Sequence, residues 1–199
     1  MNTPSWPRRR LLQGGAWALL ASSAVGLRAR AATFTDLAAL QKAWWPQAEV
    51  GAVSLGLPEP DRLAEALRAQ GLRVPKGFQP QLWRMQSTQP GPAGASAAQP
   101  LGWLAADRVI GKYDWIDFAV GFANDGTVLG MDVLAYRESH GAEVRQAQWR
   151  AQFKGRKGPQ ALRLTDDIRS ISGATLSCQH LTEGVQRLSA LVQVLVWAR

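Results

Sequence analysis

The chain has 199 residues, 46% of them apolar and 19% charged, a balance that suits one globular domain with a sizeable core and excludes a disordered chain. Its formal charge is +8, but Arg8, Arg9, Arg10, Arg28 and Arg30 all fall within the first 31 residues, which contain no acid. Without those five the charge is +3, so the basic bias belongs to the N-terminus and makes no case for nucleic acid as a partner.

The N-terminus reads as an export signal over residues 1–31. Arg8-Arg9-Arg10 precedes Leu11-Leu12, Gly14 to Val25 is a modestly hydrophobic stretch, and Ala29-Arg30-Ala31 supplies a small-x-small cleavage pattern. The paired arginines and the Gly- and Ser-diluted apolar run point to the twin-arginine route, a mature start at Ala32 and a periplasmic destination. The run is well short of the roughly 18–20 residues that a membrane span needs. Cys178 is the only cysteine, so no intramolecular disulfide forms and stability must come from a core. Seven of the nine tryptophans lie beyond the signal, which suits that requirement.

Residues 32–85 read as a helical lead-in. A short helix over Thr35–Trp45 is expected to start at Thr35 or Asp36 and end at Pro46; Val50 to Leu55 suits a strand, and Asp61 is placed to cap a helix over Arg62–Gln70. Gln81 to Met85 reads as a strand. Residues 86–100, rich in Pro, Gly, Ala and Ser, read as a linker.

From residue 101 the pattern is that of an α+β domain with an antiparallel sheet. Gly102–Ile110, Trp115–Ala123 and Val128–Tyr136 read as strands, the last two joined by the hairpin turn Asn124-Asp125-Gly126-Thr127. Alternation in the last strand is imperfect, which predicts that both faces of the sheet are partly covered. A polar loop, Arg137 to Glu143, leads to an amphipathic helix through Trp149 and Phe153. The final helix is expected over Ser177–Trp197, with Leu181, Val185, Leu188, Val192 and Leu195 on one core-facing stripe and Gln186, Arg187 and Gln193 off it.

The stretch that feeds this helix is Asp166 to Ser177, small and rich in hydroxyls. Small residues admit a ligand close to the backbone, and a helix N-terminus attracts phosphate. The same residues suit an ordinary N-cap, and spacing alone leaves the two open. No metal-ligand pattern accompanies them, since His140 and His180 are far apart in sequence and Cys178 is alone. A hydrolase would need a nucleophile elbow, and none follows a strand.

Ser172-Gly173-Ala174-Thr175-Leu176-Ser177 resembles the S-G-A-T-x-[ST] signature of the FMN-binding domain family, known from flavin subunits of the sodium-pumping NADH:quinone reductase and of Rnf-type complexes. Val120 to Gly126, Leu134 to Gly141 (with Glu138-Ser139-His140-Gly141) and Trp149 to Gly155 resemble three further family blocks in the same order, and the likeness runs from Gly102 to Leu195. The resemblance implies FMN as cofactor, esterified through its phosphate to Thr175 by a flavin transferase that uses FAD. It also implies contacts from Ser172, Gly173, Ala174 and Leu176 around the phosphate and ribityl chain, and from Glu138, Ser139, His140 and Gly141 near the ring. Arg169 stands where the family usually has an acid, and is placed to contact the phosphate; His140 stands where many members have Pro. The implied role is an exported electron carrier serving a membrane redox partner. Non-covalent flavin reductases and an accessory domain in which the turn is only a cap remain as alternatives.

Overall fold

The structure, a computed structural model, describes residues 36–46, 50–87 and 99–197. The export signal and most of the 86–100 linker therefore lie outside the described residues. Five strands form one antiparallel sheet in chain order: β1 (Val50–Ser54), β2 (Gln81–Ser87), β3 (Pro100–Ile110), β4 (Trp115–Ala123) and β5 (Val128–Tyr136). With its packed helices the sheet gives the expected α+β architecture. The lead-in contributes to it directly, because β1 and β2 pair with each other and β2 pairs with β3.

The expected bounds of β4 and β5 hold to the residue. Asp125 fixes their turn by accepting hydrogen bonds from the backbone N–H and the hydroxyl of Thr127, and Gly126 takes the positive φ of 86° that the turn requires. Helix α1 (Leu37–Trp44) begins at Asp36, whose carboxylate accepts from the Ala38 N–H at 3.3 Å. Helix α2 runs Pro60–Arg68 rather than from Arg62. Pro60 takes its first turn, where a missing N–H costs nothing, and Asp61 lies inside the helix instead of capping it.

Both faces of the sheet are covered, as imperfect alternation requires. The larger core joins Trp103, Ile116, Phe118, Val120, Phe122, Met131 and Val133 to the long C-terminal helix α4 (Thr175–Trp197) through Leu181, Val185, Leu188 and Val192. The smaller core, on the other face, sets Leu40 and Trp45 against Met85, Leu104 and Ala119. Gly121 and Gly130 are cross-strand partners there, and Trp44 lies on both. A Cβ at either position would stand 2.4 Å from the indole, so the glycine pair is what lets α1 approach the sheet.

One helical expectation needs correction. The stretch through Trp149 and Phe153 is not one amphipathic helix but a 3-10 turn (Ala142–Arg145), a four-residue helix α3 (Ala147–Arg150) and a second 3-10 turn (Ala151–Phe153). Gln146 breaks it with an extended conformation, φ −63° and ψ 133°. Arg187, off the core-facing stripe of α4, is nevertheless buried: it is only 3% exposed, donates from Nη1 to the Arg73 carbonyl at 3.1 Å, and lies 5.6 Å from the Phe78 ring. The long stem lets it pin residues 73–78 to the helix. Among the described residues no helix is long and apolar enough to cross a membrane.

Candidate functional site

Helix α4 begins at Thr175, two residues before its expected start, and the reason lies in the turn preceding it. The Ala174 N–H donates to the Ile171 carbonyl at 3.0 Å, closing a four-residue turn whose third member, Gly173, has φ 83°. A side chain there would be strained, so the glycine of S-G-A-T is set by backbone geometry. The closure places Ala174 at the N-cap position, with its methyl buried and no oxygen to offer. Alanine is among the poorest caps. Among the described residues the N–H groups of Thr175, Leu176 and Ser177 make no hydrogen bond, and the first turn carries no acid.

A 23-residue helix thus presents three unpaired donors and the positive end of its dipole beside an exposed threonine hydroxyl. Space is open above Gly173, where a Cβ would meet nothing within 4 Å. These features fit a phosphate monoester or diester: anionic, rich in acceptors and joined through Thr175 Oγ1 or resting beside it.

The E-S-H-G loop reaches this turn from the end of β5. Gly141, at φ 83°, packs so closely that a Cβ would lie 2.9 Å from Tyr136 Oη and 3.3 Å from both Ala174 Cβ and Ser177 Oγ. Tyr136 Oη donates to the His140 carbonyl at 2.5 Å and lies 3.4 Å from Ser177 Oγ. Burial pushes the phenol up from its usual range, so it remains a donor. A depression of about 360 Å³ lies just beyond, lined by Ala142, Glu143, Arg145 and Gln146.

The other approach to the turn is clamped by α3 and the 3-10 turn after it. Trp149 Nε1 donates to the Arg169 carbonyl, and Gln152 Oε1 accepts from the Arg169 N–H, both at 2.8 Å. Gln152 Nε2 in turn donates to the Trp149 carbonyl at 3.2 Å, and Trp149 meets Phe153 edge to face at 5.2 Å. Both backbone groups of Arg169 are fixed while its side chain stays exposed. Upstream, Asp167 is held by Arg156 and Arg163, and its carboxyl is pulled below its usual range chiefly by the Arg163 N–H.

The structure therefore brings Gly141, Ala174 and Ser177 into contact and fixes Arg169 by its backbone, while Ser172, Gly173, Thr175 and Leu176 face solvent around the turn. Ser139 and His140 are exposed and bond each other through Oγ and Nδ1 at 2.9 Å. Glu138 is occupied elsewhere: its Oε1 accepts from the N–H groups of Tyr113 and Asp114 in the β3–β4 hairpin. Cys178 is fully buried and its thiol is pushed up by desolvation, the behaviour of a small hydrophobe. Tyr136, Trp149 and Gln152 were not singled out by residue type, though each sits inside a motif block.

The family model described as an FMN-binding domain matches residues 111–190, a narrower span than the Gly102–Leu195 stretch of the sequence resemblance. A search of curated proteins finds no match to the chain. Residues 111–190, which carry both the E-S-H-G loop and the S-G-A-T turn, are a member of the FMN-binding domain family, and FMN is the cofactor that this domain takes.

Proposed function

We propose that the chain carries FMN outside the cytoplasm as an electron-transfer protein, with the flavin phosphate esterified to Thr175. The observation that supports this reading best is the start of α4, where among the described residues three N–H groups are without a partner beside the exposed Thr175. Attachment joins Thr175 Oγ1 to the flavin phosphate, with AMP leaving when FAD is the donor. The product keeps a negative charge beside the helix N-terminus, where the dipole stabilises it by about 0.3–1 kcal/mol, and by more when partly buried. Bound FMN supplies one- and two-electron transfer, and the protein supplies position and electrostatics. That division explains a site built from backbone donors rather than an acid-base cluster. The paired arginines and cleavage pattern of residues 1–31 support export, and the resemblance to flavin subunits of membrane complexes supports a membrane redox partner.

Arg169 favours a second reading, in which the flavin is bound without a covalent link. A cation where the family usually has an acid suits charge-assisted retention of a free phosphate. Intact-mass measurement after co-expression with a flavin transferase separates the two readings. Covalent attachment predicts an added FMN mass that vanishes in Thr175→Val. Unmodified protein that nevertheless retains FMN gives the second reading, and colourless protein without flavin affinity removes both.

A further inference from the structure

We propose that Glu138 is a positioning residue that holds the β3–β4 hairpin as a third wall of the flavin site, beside the E-S-H-G loop and α4. The inference rests on the reading that FMN is held at this junction. Glu138 Oε1 accepts two hydrogen bonds, at 2.6 Å from the Tyr113 N–H and 2.9 Å from the Asp114 N–H. A carboxylate accepting two backbone donors makes a strong, charge-assisted link. The hairpin is shaped to receive it: Gly111 has no side chain, and a Cβ there would lie 2.3 Å from the same Oε1. The hairpin closes on itself through the Gly111 N–H, which donates to the Asp114 carbonyl at 2.7 Å.

A second tie runs to the helix. His180 Nδ1 is 2.6 Å from the Ile110 carbonyl, and since a carbonyl can only accept, Nδ1 carries the proton. The loop meets α4 in turn through Tyr136 and Gly141. Hairpin, loop and α4 are therefore joined pairwise, the hairpin at His180 in the second turn of the helix, and Glu138 supplies the hairpin-to-loop link. Tyr113 at the hairpin tip and Leu176 in the first turn of α4 are both large exposed hydrophobics. Tyr113 is 73% exposed, with Lys112 Nζ 4.8 Å from its ring centroid. An exposed aromatic ring on a hairpin tied to the loop that meets the turn suits the flat, largely apolar ring system of a flavin.

The test uses the full chain, produced without a flavin transferase and titrated with FMN, together with backbone amide exchange. Glu138→Ala and Gly111→Ala should each weaken FMN about tenfold, while Glu138→Gln, which keeps the acceptor but not its charge, should fall clearly between Glu138→Ala and wild type. The Tyr113 and Asp114 amides should exchange faster in Glu138→Ala without flavin, and slow in wild type when FMN is added. Tyr113→Ser, a solvent-facing change that leaves the backbone bonds intact, should weaken FMN several-fold. Affinity as poor in Glu138→Gln as in Glu138→Ala would mean that the charge itself contacts the ligand, and would overturn the proposal. So would hairpin amides indifferent to FMN, or unchanged affinity in Tyr113→Ser. A wild-type chain that takes up no flavin at all overturns the functional reading along with this one, and is plainly different from a flavin-binding chain that ignores Glu138.

Discussion

Gly141→Ala tests whether the contact between the E-S-H-G loop and the start of α4 is what shapes the site. Two penalties arise. Gly141 sits at φ 83°, and a left-handed conformation costs an alanine about 1–2 kcal/mol. The added methyl would also lie 2.9 Å from Tyr136 Oη, which is itself held at 2.5 Å by the His140 carbonyl, and 3.3 Å from Ala174 and Ser177. Crowding of that kind costs about 1–3 kcal/mol when nothing yields. The loop ends in solvent at Ser139 and His140, so it can swing off the helix instead. The expected result is therefore a split: a stability loss of about 1–2 kcal/mol by chemical denaturation, and at least tenfold weaker FMN in a fluorescence titration. Gly155→Ala is the control, because Gly155 has φ 80° with nothing within 4 Å of a Cβ, so it reports backbone strain alone. If the two variants bind FMN equally well, the Gly141 contact has no part in the site and the reasoning fails.

Two further outcomes follow from the same geometry. Trp149→Phe keeps the edge-to-face packing on Phe153 but removes the N–H that Arg169 accepts, so it should cost about 1–2 kcal/mol and weaken FMN by loosening Arg169; unchanged amide exchange at Arg169 and Ser170 would contradict this. Asp107 predicts a pH dependence. Its Oδ2 is buried without a hydrogen-bond partner among the described residues, and desolvation pushes its pKa from 3.8 up to about 6 against the pull of Arg187 on α4 and neighbouring Arg108, with Asp117 on β4 adding to the rise. The folded state then binds a proton that the unfolded state has already released between about pH 4 and pH 6, so stability falls as pH rises through that window and levels off above it. The effect is at most about 3 kcal/mol, from two units at about 1.4 kcal/mol each. Asp107→Asn should abolish it, and a wild-type-minus-variant stability difference that stays flat from pH 4 to 7 would rule out the cause.

The parts of this fold that the sequence predicts well are those whose information is local. β4 and β5 carry apolar strand residues on both sides of an Asn-Asp-Gly turn, and α4 repeats its core residues at steps of four and three. The broken helix after Gly141 was misread because its apolar residues have helical spacing, while the extended Gln146 answers to tertiary packing that spacing does not encode. The burial of Arg187 is hidden for a similar reason: its position off the stripe says nothing of the chain at Arg73 and Phe78 that covers it. Glu138 shows the limit most clearly. Its partners are 24 and 25 residues away and are backbone amides, which carry no residue type to match.

The turn before α4 combines both kinds of information. Four hydroxyl residues around it make a capped helix a fair expectation from composition, yet the hydrogen bond from Ala174 to Ile171 puts a residue without a side-chain oxygen at the capping position. A sequence built to cap its helix would place Ser, Thr, Asp or Asn there, a gain of about 1 kcal/mol. Here the hydroxyls flank the helix start instead, leaving its N–H groups for an anion. The order S-G-A-T thus has a physical meaning: glycine makes the turn, alanine withholds the cap, and threonine presents its oxygen at the first residue of a long helix.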